Sequence, residues 1–259
     1  MKEKIFIFIF LIVFLLTLSG NNNLTLLVFA QDNDSSKSIS RTVLVELFVQ
    51  GGCLTCPTAE FCLEDLAWEY GTSKFILVQE HLWGDGYDTP ETNARYNWYV
   101  GDSKKGTPDV FINGLTQRLQ GLACECVEGN YECYKNVIDK ELTRPSHLEF
   151  SASKTIINYG YIIEGTVKNI SDTSLKDLVV CGMAGLEGDE PGLYNYIQDI
   201  FPFQNMPTLL PGETFSFKFV PDMSLAPKSE IDGEEEILHL VMFVQNTITK
   251  EILQALYIE

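Results

Sequence analysis

The sequence predicts an α/β domain followed by an all-β sandwich, and three observations carry that expectation. Between residues 41 and 143, runs of β-branched and apolar residues alternate with segments of helical spacing. That rhythm implies parallel strands joined by crossover helices. From His147 onward the helical spacing stops, and short alternating runs separated by turn clusters take over. At the first strand-to-helix junction lies Gly51-Gly52-Cys53-Leu54-Thr55-Cys56-Pro57, two cysteines two residues apart on a tight turn. A dithiol in that setting points to redox chemistry rather than to a loop staple.

The chain opens with Met1-Lys-Glu-Lys4 and an apolar run from Ile5 to Leu18, and Val28-Phe29-Ala30 offers small residues before Gln31. Residues 1–30 therefore read as a signal peptide or an N-terminal anchor. Asn21-Asn22-Asn23 interrupts the apolar run and argues against a clean spanning helix. Residues 31–40 are a polar, flexible lead-in. Export would place the chain in the periplasm, on the cell surface or outside the cell, where disulfides persist. The formal net charge of −18 makes nucleic acid a poor partner.

The first domain is expected to span residues 41–145. Arg41 to Val49 reads as a buried strand. Thr58 to Tyr70 carries apolar residues at helical spacing, with Phe61, Leu63, Leu66, Ala67 and Tyr70 as the stripe. Lys74 to His81 is a second strand. Thr89-Pro90-Glu91 reads as a helix N-cap with proline in first position, opening a helix to Val100. Asn113-Gly114 between short β-type runs is a hairpin signal. Tyr131 to Leu142 is the last helix, stopped by Thr143-Arg144-Pro145.

The chemistry expected of the dithiol follows from its place. Free N–H groups and the macrodipole at a helix N-terminus stabilise a thiolate. Cys53, at the very start, gains most, and its pKa should fall below the free value of about 8.5. Cys56, one turn further in, is placed to resolve a mixed disulfide. A structural zinc half-site or a local disulfide is the plainer reading, although no second Cys-x-x-Cys follows at zinc spacing.

Residues 41–143 resemble the thioredoxin superfamily, in the order strand, Cys-x-x-Cys helix, strand, helical insertion, Thr-Pro, hairpin, helix. The resemblance implies an α/β thioredoxin-like domain, and the six or seven short strands beyond it read as an all-β immunoglobulin-like sandwich. The resemblance also implies a cis bond at Thr107-Pro108, which would line a substrate-side cleft beside the cysteines. A buried acid assisting proton transfer to the inner thiol is a further implication, and Glu46 is similar in position. Glu46 reads equally as an edge glutamate reaching solvent. His81-Leu-Trp-Gly-Asp-Gly-Tyr with Arg95-Tyr96 resembles a branch of exported thioredoxin-like proteins. His81 would line the site rim, bind a metal, or serve structure alone.

Cys62, Cys124, Cys126 and Cys133 are read as structural disulfides, with Cys124 or Cys126 bridging to Cys133 to pin the last helix. The sequence does not choose their pairing. A second redox relay or a thiolate metal site is the sharper alternative. The second domain, residues 146–259, carries strands at 148–153, 156–167, 178–183, 214–220, 238–246 and 251–258. Cys181 lies in one of them as a buried inert thiol. The closing stretch from His239 to Ala255 resembles the end of the sandwich domain in the same two-domain exported proteins.

The expected function is that of an extracytoplasmic thiol–disulfide oxidoreductase. Cys53 would attack, Cys56 resolve, and protein thiols or disulfides together with a redox partner would be the reactants. The Cys53–Cys56 disulfide itself would be the redox group, with no further cofactor and no resident metal. Membrane association through the N-terminus is a further expectation. Two readings from other classes stand beside it. One is a non-catalytic scaffold with a locked disulfide; the other is a metal (copper) carrier using Cys53, Cys56 and His81.

Overall fold

The computed structural model describes residues 38–121, 123–124, 131–157, 160–188, 194–221 and 238–258. The expected leader at 1–30 and most of the lead-in lie outside these residues. In the first half, β1 (Val43–Val49), α1 (Cys56–Tyr70), β2 (Phe75–His81) and α2 (Pro90–Val100) are followed by β3 (Asp109–Ile112), β4 (Gln117–Gln120) and α3 (Glu132–Leu142). The second half holds β5 (Leu148–Ile157), β6 (Gly160–Asn169), β7 (Leu178–Leu186), β8 (Tyr196–Ile200), β9 (Gln204–Asn205), β10 (Thr214–Phe219), β11 (Leu238–Asn246) and β12 (Ile252–Ile258).

Local signals explain the local elements. Thr89 caps α2, its Oγ1 accepting from the Thr92 amide at 3.1 Å while Thr92 Oγ1 accepts from the Thr89 amide, with Pro90 in the first turn. Asn113 and Gly114 both take positive φ at the start of the four-residue connection between β3 and β4, a conformation that Asn and Gly tolerate best.

The architecture corrects the expected fold class. Among the described residues there are three helices against twelve strands. The strands do not sort into an α/β domain with its own sheet and a separate sandwich. One nine-stranded mixed sheet runs β12-β11-β7-β8-β2-β1-β3-β4, with β9 on β7, and only β10-β6-β5 form a second sheet. β1 pairs with β2 in parallel, and β2 with β8 in parallel; the other pairings are antiparallel. The join at β8 is short: Gln79 is in register with Tyr196, and Asn195 donates to the Leu77 carbonyl at 2.7 Å.

The sheet also curls until β12 meets the turn between β3 and β4. Gly114 bridges to Glu251, and a Cβ on Gly114 would lie 1.9 Å from the Lys250 carbonyl oxygen. Asn113 fastens the same corner, accepting from the Leu44 amide at 3.0 Å and donating to Glu141 at 3.1 Å. Arg41 and Arg144 both reach Glu251, at 3.0 and 2.6 Å.

Alternation along β1 shows how the layers are filled. Val43, Val45, Leu47 and Val49 face a core shared with α1 and α3. Leu44, with Ile76 and Val78, faces Cys181, Met183, Val241, Phe243 and Ile252 from the second half. Thus α2 covers only the Phe48 end of that face, and β7, β11 and β12 cover the rest, where an independent α/β domain would carry helices. Those strands carry a second apolar face, where Val180, Leu240, Met242 and Val244 meet Leu148, Val167, Phe217 and Phe219 across to β5, β6 and β10. Burial on both faces explains why Leu178–Leu186 is an unbroken apolar run.

A charged cluster is buried in this packing. Arg95 on α2 pairs with Glu46 on β1, and its Nη2 donates to Tyr99 Oη at 2.7 Å. Tyr99 donates to the second Glu46 oxygen at 2.6 Å, and Gln245 on β11 donates to Tyr99 at 2.7 Å. The guanidinium lies 4.9 Å from the centre of the Phe243 ring. Burial opposes its charge, and Glu46 with Glu80 more than offsets that, holding Arg95 protonated. Glu80 is fully buried 3.8 Å from Arg95, and neither of its oxygens has a hydrogen-bond partner. Desolvation, then repulsion by Glu46, raises its pKa well above the ordinary carboxylate value.

Two outcomes follow for stability. Arg95→Met leaves Glu46 buried without its cation and should lower unfolding free energy by about 3–5 kcal/mol in denaturant titration. Glu80 binds its proton more tightly folded than unfolded, so its contribution is complete below pH 4.5 and declines as pH rises toward its folded value. Glu80→Gln should flatten that decline, which amounts to on the order of 1 kcal/mol per pH unit, in thermal melts across pH 5 to 8.

Candidate functional site

The C-terminal end of β1 gathers the residues of interest. Val49 is in register with His81 on β2, and Phe48 pairs with Asp109 on β3. His81 therefore flanks the end of β1 on one side, and Pro108 on the other. Between them the chain leaves through Gln50-Gly51-Gly52 into the dithiol and α1. Gly52 adopts φ +78°, which favours glycine.

Cys53 and Cys56 are joined as a disulfide. Cys53 is part-exposed, Cys56 is 2% exposed, and Leu54 between them is 96% exposed, so one sulfur faces the surface and the other the core. The first turn of α1 has no acidic residue, and Thr55 makes no side-chain cap. The Cys56 amide instead donates to Cys53 Sγ at 3.1 Å. That amide and the uncompensated helix dipole would favour a thiolate at Cys53 once the bridge opens.

His81 and Asp85 brace this turn. Asp85 Oδ2 accepts from the Gly51 amide at 3.0 Å and lies 2.7 Å from His81 Nδ1. Its Oδ1 accepts from the amides of Tyr87 and Asp88, at 3.0 and 3.1 Å. A Cβ at Gly51 would lie 3.0 Å from the Asp85 Cβ, so any larger residue there requires the Asp85 loop to shift by a few tenths of an ångström. The imidazole packs against Tyr87 and Tyr196, and its Nε2 is buried with no hydrogen-bond partner.

On the other flank, the Thr107–Pro108 peptide is cis. The loop before it is held by Tyr96, whose hydroxyl donates to Asp109 at 2.9 Å and accepts from the Gly106 amide at 3.0 Å. Arg118 on β4 pairs with Asp109 at 2.6 Å. Desolvation raises the Asp109 pKa, and the bonds from Arg118 and Tyr96 pull against it. Asp109 and Arg118 carry no signal of this brace in the sequence, and Tyr96 only its place beside Arg95, because the three come from separate elements.

Glu46 does not join the site. Neighbouring Val45 and Leu47 share the core with Cys56, so Glu46 points from the opposite face of β1, where Arg95 and Tyr99 hold it. Strand alternation thus separates it from the thiol it was expected to serve, and it does not reach solvent either, being fully buried.

Cys124 is bridged to Cys133 at the start of α3, Cys62 is buried and also disulfide-bonded, and Cys126 lies outside the described residues. Cys181 is a free, buried thiol whose pKa desolvation pushes up to about 12. Among the described residues, no group of three or more His, Cys, Asp and Glu side chains is arranged to hold a metal ion.

No protein-family model matches the chain, and no curated protein matches it. Among solved structures it is similar to HBP35 of Porphyromonas gingivalis, with 18% identity and a TM-score of 0.61 over 85% of this chain and 75% of that one. A domain of the outer membrane lipoprotein Omp28 from the same organism aligns at 16% identity and a TM-score of 0.29, over 44% of this chain and 88% of that one. Bacteroides uniformis beta-glucuronidase aligns at 18% identity and a TM-score of 0.31, over 42% of this chain and 12% of its own length. The likeness to HBP35 is one of fold. The expected membership of the thioredoxin superfamily, and with it a thioredoxin-like domain joined to an immunoglobulin-like one, does not hold. The chain shares its fold with HBP35, and among the described residues twelve strands lie in one mixed nine-stranded sheet and a three-stranded one, with only three helices.

Asp85→Ala should free the Gly51 amide and loosen the turn ahead of the dithiol. Hydrogen exchange at Gly51 should quicken by about tenfold or more, in line with loss of a charge-assisted bond of about 1.5–3 kcal/mol.

Proposed function

We propose that the protein is an extracytoplasmic thiol–disulfide oxidoreductase whose redox group is the Cys53–Cys56 disulfide. The observation that carries this reading is the Cys56 amide donating to Cys53 Sγ at the uncapped N-terminus of α1. The incoming thiolate of a protein partner attacks Cys53 Sγ, the bond to Cys56 breaks, and a mixed disulfide forms. In the reverse direction Cys56 attacks that mixed disulfide and releases the partner. Thr107 and Pro108, across the end of β1, supply the opposite wall of the cleft for an extended partner segment.

The charged and then apolar start of residues 1–30 and the presence of cystines favour export. No helix among the described residues is long and apolar enough to cross a membrane.

The test is reduction of a protein disulfide by the full chain with a dithiol as electron donor. Wild-type protein should turn over, and Cys53→Ser should lose at least a hundredfold in rate. Activity that survives the substitution would sink the reading. A Cys53–Cys56 bridge inert to thiols at every poise would make it a structural staple instead.

A further inference from the structure

Opening the Cys53–Cys56 bridge leaves a pair of electrons on Cys56, a sulfur buried against the core. That thiolate needs a proton, and Glu46 faces the other way. The nearest carboxyl along α1 is Glu60, one helical turn from Cys56 at i,i+4, a spacing that brings Cβ atoms within about 6 Å. Glu60 is half-buried and forms no hydrogen bond or ion pair among the described residues.

Helical spacing puts Glu60 on the same side of α1 as Cys56 and Glu64. One turn further on, Glu64 accepts from Gln79 of β2 at 2.8 Å. α1 runs back along β2, so the four residues from Glu64 toward its start, about 6 Å, match two residues forward on the strand, about 6.6 Å. The next residue on that face of β2 is His81, whose Nε2 is buried and without a partner. Charged and titratable groups around this stripe are Glu64 and Asp65 on α1, His81 on β2, and Glu187, Tyr194 and Tyr196 from the β7–β8 segment. From α3, Lys135 and Asp139 engage Glu69 and Tyr70 at the far end of α1.

We propose that Glu60 is the group that delivers and recovers the proton of Cys56 during dithiol–disulfide exchange, and this rests on the reading of Cys53–Cys56 as a redox centre. In reduction, a thiolate of a protein dithiol bonds to Cys53 Sγ and the Cys53–Cys56 bond breaks. Its electron pair goes to Cys56 Sγ, which takes the proton of the Glu60 carboxyl. The second thiolate of the donor then displaces Cys53, and the donor leaves oxidised by two electrons. In the reverse direction the Glu60 carboxylate takes the proton back as Cys56 attacks a mixed disulfide. Desolvation, then repulsion by Glu64, raises the Glu60 pKa to about 7, where both forms are available at neutral pH.

The test is the rate at which dithiothreitol reduces the Cys53–Cys56 bridge of the full chain, read by mass after alkylation and divided by the thiolate concentration at each pH. Wild type should show a fall of about tenfold between pH 6 and 8, centred near 7, as Glu60 loses its proton. Glu60→Gln should give a flat profile, and Glu60→Asp should restore the inflection, which a loss of fold would not do. An inflection in Glu60→Gln like that of wild type overturns the proton role and leaves the redox reading standing. A wild-type bridge that dithiothreitol does not open overturns both.

Discussion

The guanidinium of Arg95 lies where α2, β1, β2 and β11 converge, and the two halves of the chain depend on it to meet without an unpaired charge. It neutralises Glu46, shares Tyr99 with it and accepts the partnership of Gln245 from the distant half. A buried ion pair adds little net stability over an apolar substitute, yet removing one partner strands a buried charge, so both surfaces must come together with the pair intact. Here it sets α2 against the same strand whose other face packs under the dithiol helix. The position of the Cys53–Cys56 turn is thus tied, through β1, to strands some two hundred residues downstream.

Much of the local structure was legible. β1, α1, β2, the Thr89 cap, the Asn113-Gly114 turn and α3 all follow from patterns contained within a few residues. The dithiol turn was legible for the same reason, since glycines and a helix start announce themselves locally. What escaped was everything set by distant partners. Tyr196–Ile200 carries no strong strand pattern, yet this segment is the parallel strand that joins both halves into one sheet. Leu44, Ile76 and Val78 gave no sign that strands rather than helices would cover them. A family resemblance built on local order therefore led to the wrong architecture.

The same division runs through the site. Cys53, Cys56 and Pro108 could be placed from motifs, because each sits at a break between elements. Glu46 was misplaced because period-two alternation assigns faces but does not say which face meets the thiol. The linkage of His81 to Gly51 through Asp85 depends on a loop folding back over a turn, which no periodicity reports. Tyr96, Asp109 and Arg118 illustrate the point again: three charged or polar residues become one brace only after three elements assemble.

The closing of the sheet by β12 against Gly114 bears on how the chain acquires its fold. Residues 43–142 leave the ribosome or the export channel long before Leu238–Ile258, so the inner face of β1 and β2 must wait, uncovered, for its lid. Pairings of such sequence separation are slow to form, and an open apolar sheet invites association with other chains meanwhile. The cystine at Cys124–Cys133 joins positions nine apart in sequence and needs nothing from the C-terminal strands. Covalent order can therefore precede conformational order, with oxidation of the early loop complete while the molecule is still a partly assembled intermediate.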